Sequence, residues 1–446
     1  MVPKFLENAK KLGWLVISLD ELIKKQYILD HLDGNHGNLY PRQEEFIDEG
    51  VKYISANSIV NGVIDFKKSK FLSQERADKF KKGVAKNGDV IFAHNATVGP
   101  VALLETNDEK VILSTSLTYY RVNSEKINGK YLVQYMSSPN FIRQYEAIMR
   151  QTTRNQLPIT TQRDFLFIIP PIQEQKKIAE ILSTWDKAIE TVEKLVANSQ
   201  QQKKALMQQL LTGEIRFFGK NSQFAIPKGV LQKKLGLLPI DWKVEHIKNH
   251  IWFQEGPGVR NSQFKESGIK LFNGTNIQFN RINLQNTNTY ISENEGMGAY
   301  RHFLVDDGDL LIACSGISVN RFDEKIAFVN ESHLPLCMNT STMRFKQLEN
   351  GLVNMRYFYY FMQTWLFKNQ IRGQATGSAQ LNFGPSHIAN CFVAFPNIEE
   401  QEKIAQVLTL ADREIDLYQQ QLDKLKLEKK SLMQQLLTGQ KRVIID

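Results

Sequence analysis

An internal duplication is the feature of this sequence that most restricts how the chain can fold. The segment 172–213 aligns without a gap on the segment 398–439, and 19 of the 42 aligned positions are identical. Both copies end in the same string, Lys-Lys-x-Leu-Met-Gln-Gln-Leu-Leu-Thr-Gly. A match of this length does not arise by chance, so the fold must contain two equivalent copies of one element.

Each copy has the pattern of one long amphipathic helix. Apolar residues recur at alternating spacings of three and four, and the resulting narrow stripe is typical of a coiled coil. Asn397 and Glu400 form a predicted capping box, and Gly213 and Gly439 stand where helices commonly end. The predicted helix-packing positions are Ile178, Leu182, Trp185, Ile189, Val192, Val196, Leu206 and Leu210 in the first copy and Ile404, Leu408, Ala411, Ile415, Tyr418, Leu422, Leu425, Leu432 and Leu436 in the second.

The length of these helices and two polar residues in their stripes bear on how they pair. About 40 residues at a rise of 1.5 Å give roughly 60 Å, so the natural partner of each helix is its own duplicate. Lys203 and Lys429 occupy equivalent positions within the apolar stripes. A polar residue there can select one register of a helix pair, and a merely solvated break in the stripe predicts the same pattern. Both interpretations stay open at this point.

The duplication extends upstream of the helices. Segment 14–19 parallels 242–247, and segment 87–93 parallels 307–313, each of the latter pair being a turn that leads into an apolar strand. Short alternating runs dominate these regions, with one predicted helix each at 129–150 and 350–371, which indicates α+β domains. The predicted order is a globular domain at 1–171, a long helix at 172–213, a linker of turn and loop residues at 214–239, a second globular domain at 240–396, a second long helix at 397–439 and a tail at 440–446.

The charge balance favours a polyanionic partner. The formal net charge is +9, and basic side chains near phosphates release condensed counterions on binding. A mildly basic protein without such a partner can have the same net charge, because net charge does not show whether the basic residues cluster on one surface.

Cysteine usage and hydropathy bear on the compartment. Cys314, Cys337 and Cys391 lack CxxC spacing and are interpreted as reduced thiols. The apolar stretch 13–19 is short and is followed at once by Asp20 and Glu21, unlike a cleaved signal segment. No apolar run approaches the length that spans a bilayer. We therefore expect a cytoplasmic protein with no membrane segment.

The signatures of enzymatic chemistry are missing from the sequence. Gly219-Lys220 lacks the earlier glycine of a phosphate-binding loop, and Gly256-Pro-Gly258 lacks the third glycine of a dinucleotide loop. There is no H-E-x-x-H motif and no paired CxxC, and the eight histidines are scattered. We therefore expect no catalytic residues, no metal site and no cofactor bound by this chain.

Polar loops after equivalent predicted strands are the candidate DNA contacts. Asn and Gln pair with adenine, and Arg with guanine, in bidentate geometry in the major groove. A single loop of this kind is more often an ordinary surface loop, but both copies have one in the same place. The candidate residues are Asn57, Ser58, His94, Asn95, Thr97, Arg154, Asn155 and Gln156 in the first domain and Asn273, Thr275, Asn276, Ser315, Ser318, Asn320, Arg321, Ser378 and Gln380 in the second.

The starts of the two helices resemble a known family. Segments 170–179 and 396–405 share the pattern Pro-x-x-x-Glu-Gln-x-x-Ile-Ala. With both Leu-Leu-Thr-Gly endings and the Gly-Asp strands at 88–93 and 308–313, they resemble the specificity subunits of type I restriction-modification systems. The resemblance covers almost the whole chain, and it requires two target-recognition domains and two spacer helices in a fixed order.

This resemblance implies a DNA-reading protein with no catalytic centre of its own. Each globular domain would be a target-recognition domain for one half of a split double-stranded DNA target, and the two helices would pack antiparallel as a coiled coil that sets the gap. A pseudo-twofold arrangement also agrees with the dyad axes of duplex DNA. Methyltransferase subunits carrying S-adenosylmethionine and a motor-nuclease subunit using ATP and Mg²⁺ would be the partners.

A function of a different class is a structural adaptor, in which the duplicated helices bind other proteins. A DNA reader should lose duplex affinity steeply as salt rises, whereas an adaptor should not. An undetected hydrolase would need an acid and base pair, and the sequence offers none to name. Segments 57–88 and 275–308 scarcely match, which is expected if the domains read different bases and equally if a structural insertion has drifted.

Overall fold

The computed structural model describes residues 4–150, 155–218, 223–225, 230–285, 287–374 and 380–445. The chain divides into two compact units. Unit 1 comprises Met1–Lys194 with Gln419–Asp446, and unit 2 comprises Leu195–Tyr418. Each unit therefore contains one globular region and a part of both long helices.

The globular part of unit 1 is built from sheets with helices packed against them. The central strand Val90–Asn95 is buried over its first five residues because it lies between two neighbours in a four-stranded antiparallel sheet. That sheet has the order Thr97–Leu103, Val90–Asn95, Leu117–Val122, Ile28–Asp33. A five-stranded sheet has the order Phe46–Ile47, Lys70–Leu72, Val51–Ile54, Val111–Leu113, Val84–Ala85. The remaining strand pairs are Leu15–Ser18 with Leu166–Ile169 and Ile59–Val60 with Val63–Ile64.

The globular part of unit 2 repeats this plan. Its four-stranded sheet has the order Ile251–Glu255, Thr342–Gln347, Leu310–Ala313, Ile326–Phe328. A three-stranded sheet has the order Tyr290–Ile291, Ile269–Phe272, Leu336–Met338. The strand pairs are Lys243–His246 with Phe392–Phe395, Ile277–Gln278 with Arg281–Ile282, and Ile317–Ser318 with Gln380–Leu381.

Four short helices lie in equivalent places in the two units, and unit 1 has two further ones near its start. In unit 1 they are Lys4–Lys11, Leu19–Lys24, Gln74–Asp78, Gly129–Met136, Pro139–Met149 and Ile159–Gln162. In unit 2 they are Glu293–Met297, Met355–Met362, Trp365–Gln374 and Pro385–Asn390.

The two long helices are Ile172–Leu211 and Ile398–Leu437, close to the predicted bounds. The backbone N–H of Glu400 donates to Asn397 Oδ1 at 3.0 Å, which caps the start of the second helix. Gly213 and Gly439 follow the helix ends with φ of +74° and +72°, values that favour glycine. Local capping chemistry therefore defines where these helices stop.

The long helices run antiparallel in each unit. In unit 1, Arg442 binds Glu174 and Lys429 binds Asp186, so positions rise along one helix as they fall along the other. In unit 2, Lys203 binds Asp412 and Arg216, just after the first long helix, binds Glu400, which gives the same direction. The predicted fold class is thereby confirmed: α+β domains, an antiparallel pair of long helices and an internal repeat.

The apolar stripe of each long helix faces the interior. The side chains of Ile178 and Leu182 share a core cluster with Leu436, and those of Leu210 and Leu408 share another within unit 2. None of the stripe positions predicted above is exposed. Burial of this kind contributes roughly 1.5–3 kcal/mol for each large aliphatic side chain.

Two predicted helices are each broken into two. The helix expected at 129–150 is interrupted because Ser138 Oγ accepts a hydrogen bond from the backbone of Phe141 and Pro139 opens a new helix at its first turn. In the helix expected at 350–371, Thr364 Oγ1 accepts from the backbone N–H of Phe367 in the same way. The apolar periodicity runs through both breaks and conceals them.

The segment 214–239, expected to consist of turns and loops, contains strands instead. Its described strands form two antiparallel pairs because their backbone groups hydrogen-bond to each other. These pairs are Arg216–Phe218 with Gln223–Ala225 and Val230–Lys233 with Gly236–Pro239. Within the described part of the chain, no helix combines the length and the apolar character needed to cross a membrane.

Candidate nucleic-acid interface

A tight hairpin and a neighbouring chain segment form the centre of the candidate interface in the first domain. The hairpin turns at Ala96, whose φ of +63° lies in the left-handed region. The backbone N–H of Ala96 donates to the carbonyl of Asn155 at 2.9 Å, and Asn95 forms a β-bridge with Gln156. These contacts bring together candidates that are about 60 positions apart in the sequence.

Ser116 joins a second candidate loop to this hairpin. Its hydroxyl accepts a hydrogen bond from the backbone N–H of Ala56 at 2.9 Å, and its carbonyl accepts from the N–H of His94 at 2.9 Å. The short 3₁₀ turn 56–58 and the hairpin therefore share one support. The side chains that this arrangement leaves exposed are those of Asn57, Thr97, Asn155 and Gln156, and that of Asn95 is half-buried.

The second domain builds the same arrangement from different residues. Ser341 takes the place of Ser116: its hydroxyl accepts from the N–H of Gly274 at 2.8 Å and its carbonyl from the N–H of Cys314 at 2.9 Å. The chain turns at Gly316, with φ of +68°, just after the strand Leu310–Ala313, where the first domain has Ala96.

A short strand pair completes the cluster in the second domain. Ser318 pairs with Gln380, and Asn382 Oδ1 accepts hydrogen bonds from the Ser315 hydroxyl and the Gly316 N–H, both at 2.9 Å. The candidates left exposed here are Thr275, Ser315, Ser318, Arg321 and Gln380, and Asn273 is half-buried.

Three predicted DNA contacts are corrected because their side chains are buried. The hydroxyl of Ser58 accepts from the backbone N–H of Ser55 within its own turn. The imidazole of His94 lies 3.0 Å from the carbonyl of Leu157, and burial lowers its pKa, which favours the neutral ring. Asn276 donates to Thr287 and to the carbonyl of Asn283. These buried side chains hold the loops in shape and are not placed to contact DNA.

Three other candidates cannot be placed. Arg154 and Ser378 lie outside the described residues, as does the side chain of Asn320. Among the described residues, no group of three or more His, Cys, Asp or Glu side chains is arranged to hold a metal ion.

The family model for the type I restriction modification DNA specificity domain matches residues 13–198 and 239–427. The chain belongs to this family. The resemblance noted in the sequence is thereby confirmed. Because the specificity-domain model matches twice, each loop cluster described above belongs to its own copy of the domain.

Relatives of the specificity family match along most of the chain. The type I restriction enzyme MjaVIII specificity subunit of Methanocaldococcus jannaschii is 23% identical over 95% of this chain and 98% of its own length. The type I restriction enzyme EcoBI specificity subunit of Escherichia coli is 24% identical over 67% of this chain and 62% of its own.

Solved structures show the same specificity-subunit fold. The S subunit of a type I restriction-modification system from M. genitalium has a TM-score of 0.55 at 14% identity, covering 97% of both chains. A chain solved in work on complex assembly and conformational transition of the type I system has a TM-score of 0.56 at 17% identity, covering 96% of this chain and 98% of that one.

One exposed aromatic side chain of this specificity protein, that of Phe279, was not predicted from the sequence. Phe279 is 68% exposed at a hairpin tip, with φ of +50°, and the Arg321 guanidinium lies 5.4 Å from its ring centroid. Phenylalanine is rare in this backbone conformation, whereas the equivalent position of the first domain holds Asn61 at the same φ. The Phe-Asn pair between Ile277-Gln278 and Arg281-Ile282 was the available signal, because pairs that contain Asn form tight hairpins between short strands.

Three supporting residues were also not predicted, because their side chains bind backbone groups of the loops. They are Ser116, Ser341 and Asn382. The first two could have been found from the repeat, since Ser-Thr-Ser at 114–116 aligns with Asn-Thr-Ser at 339–341. Asn382 offered no such signal.

Proposed function

We propose that this chain is the sequence-specific DNA-binding subunit of a type I restriction-modification complex. Each globular domain, predicted at 1–171 and 240–396, reads one half of a bipartite duplex target. The two long helices set the number of base pairs between the halves. The chain also recruits methyltransferase and restriction subunits.

The pair of loop clusters is the observation that carries this proposal. Both clusters have the same backbone support, a serine that binds a 3₁₀ turn through its hydroxyl and a residue at the end of a sheet strand through its carbonyl, yet they expose different polar groups. The first offers mainly amides, and the second offers three hydroxyls, two amides and the guanidinium of Arg321. Amides favour adenine and hydroxyls are less selective, so two equivalent domains with these surfaces favour an asymmetric target.

The chemistry of the complex is assigned to the partner subunits. We propose that this chain is not an enzyme and binds no cofactor, and that S-adenosylmethionine, ATP and Mg²⁺ are bound by the methyltransferase and motor-nuclease subunits. The complex would act in the cytoplasm, where its DNA substrate is found.

The salt dependence of DNA binding tests the proposal against the adaptor function. We expect the logarithm of the association constant of the assembled complex for its target duplex to fall linearly with the logarithm of salt concentration, with a slope of about −0.9 for each phosphate contacted. Binding to a fluorescent duplex at a series of salt concentrations measures this slope. A duplex affinity that does not change with salt would favour the protein-binding adaptor.

Two equivalent glutamines test the division of labour between the domains. Gln156→Ala should relax one base position in the first half-site only, and Gln380→Ala should do so in the second half-site only, each removing about 1–3 kcal/mol of discrimination. Adenine-methylation mapping of cells carrying each variant measures this, and each variant is the matched control of the other. Loss of methylation at all sites alike, with unchanged preference at every base, would contradict base reading by these side chains.

A further inference from the structure

Each long helix carries one lysine in its apolar stripe, and each lysine meets an aspartate of the other helix. In unit 1, Lys429 Nζ lies 2.5 Å from Asp186 Oδ1. In unit 2, Lys203 Nζ lies 2.5 Å from Asp412 Oδ1. The lysine side chains are only 16% and 14% exposed. Because the four residues are related by the internal repeat, the same cross-helix contact occurs twice.

Each aspartate is also bound by its own globular domain. Gln134 Nε2 donates to Asp186 Oδ2 at 2.6 Å, and the hydroxyl of Tyr360 donates to Asp412 Oδ2 at 2.7 Å. Gln134 and Tyr360 lie in the equivalent helices Gly129–Met136 and Met355–Met362. Each carboxylate thus links three elements: a helix of the recognition domain, its own long helix and the opposite long helix.

An apolar stripe alone does not define one register, because a shift by one heptad again sets apolar residues against apolar residues. The polar pairs do not tolerate such a shift. In one direction, Lys429 would face Ala179 and Lys203 would face Ala405, which leaves both ammonium groups without a carboxylate. In the other direction only Lys429 would meet an acidic residue, Glu193. No shift by one heptad retains both pairs.

We infer that the pairs Lys429–Asp186 and Lys203–Asp412 fix the register of the helix pair, and through it the gap between the two half-sites that the complex accepts. This inference rests on the proposed function, since it specifies how the helices set the gap. The four residues act as positioning residues and need not touch DNA. One heptad of helix measures about 10.5 Å, which corresponds to about three base pairs of duplex.

The test is made on the full chain in complex with the methyltransferase subunits of its host. Its target is first identified by adenine-methylation mapping, and duplexes are then made with the native gap and with gaps one to three base pairs shorter or longer. Lys429→Asp sets two carboxylates against each other. The reversed pair, Asp186→Lys with Lys429→Asp, restores opposite charges. The Gln134 amide oxygen, which has no hydrogen-bond partner among the described residues, can then accept from the new lysine.

We expect Lys429→Asp to lower the preference for the native gap over altered gaps about tenfold, the factor to which 1.4 kcal/mol corresponds. The reversed pair should recover the preference of the natural chain to within about twofold. Lys430→Asp is the matched control: it makes the same charge change at the neighbouring exposed position and should leave the gap preference unchanged. Lys203→Asp and Lys204→Asp repeat the comparison in unit 2.

The inference is overturned if Lys429→Asp and Lys203→Asp keep the native gap preference, or if the reversed pair fails to restore it. Should Lys429→Asp yield no folded complex, Lys429→Met removes the charge, retains the apolar stem and should broaden the accepted gap. A natural complex that methylates no split target contradicts the proposed function instead. In that case urea unfolding of the same variants still tests the pairing. The changes that Asp186→Lys and Lys429→Asp cause in the free energy of unfolding should be non-additive, and additive changes would overturn the pairing.

Discussion

Replacing Arg216 with alanine should destabilise unit 2 by about 3–5 kcal/mol. The Arg216 guanidinium binds Glu400 through two hydrogen bonds of 3.0 and 2.6 Å, and both side chains are only 4% exposed. It also binds both carboxylate oxygens of Asp241. Removing one partner of a buried ion pair is costly because the other charge stays buried without compensation. Hydrogen exchange of peptides from the start of the second long helix and from segment 236–246 measures the loss.

The internal repeat supplies the control for this experiment. Arg442 binds Glu174 in unit 1 as Arg216 binds Glu400, but the Arg442 side chain is 57% exposed. Solvent reaches the Arg442 guanidinium and screens this pair, so Arg442→Ala should cost less than Arg216→Ala, although it too leaves a buried carboxylate, that of Glu174, without this partner. Exchange should accelerate in unit 2 for Arg216→Ala and in unit 1 for Arg442→Ala. Equal losses from both substitutions would contradict the role of burial.

Gly34→Ala should disrupt the loop cluster of the first domain, and Gly256→Ala should disrupt that of the second. A Cβ at Gly34 would lie 2.1 Å from the carbonyl oxygen of Ser114, and one at Gly256 would lie 2.2 Å from that of Asn339. Both neighbours are backbone atoms of the turns that lead to Ser116 and Ser341, so the backbone itself must shift. We expect a loss of about 2–3 kcal/mol for each variant and loss of base discrimination in the corresponding half-site.

Urea unfolding and methylation mapping of Gly34→Ala and Gly256→Ala measure these two effects. Gly373→Ala is the control, because a Cβ there would have no heavy atom of the described residues within 4 Å and the glycine is exposed in a helix. That substitution should stabilise the chain by about 0.5–1 kcal/mol. If Gly34→Ala altered recognition of both half-sites equally, the independence of the two loop clusters would be refuted.

The parts of the fold that local chemistry determines were predictable from the sequence. The bounds of the long helices followed from the Asn397 cap and the glycines at 213 and 439, which act within a few residues of the chain. The strands Val90–Asn95 and Leu310–Ala313 followed from the glycine turn and apolar run that precede and form them. The strand pairs of segment 214–239 could not be predicted in this way. Their strands are too short to show a clear alternation of apolar and polar residues in the sequence.

The candidate site was less predictable, because residue type does not reveal exposure. Ser58, His94 and Asn276 have side chains suited to base contacts, but these side chains form hydrogen bonds within the protein that stabilise the loops. Phe279 was missed for the opposite reason: an apolar residue was expected inside, and a hairpin tip presents it outside. In both cases tertiary contacts decide which side of the chain meets solvent.

The sharing of both long helices between the units has a consequence for synthesis on the ribosome. Met433, Leu436 and Leu437 belong to the same core cluster as Trp14, Ile178 and Leu182. The first domain to emerge therefore has no complete hydrophobic interior until segment 433–437 has been translated. Until then the first domain exposes an apolar face, and a stop codon that removes segment 433–437 should make this domain more vulnerable to proteolysis.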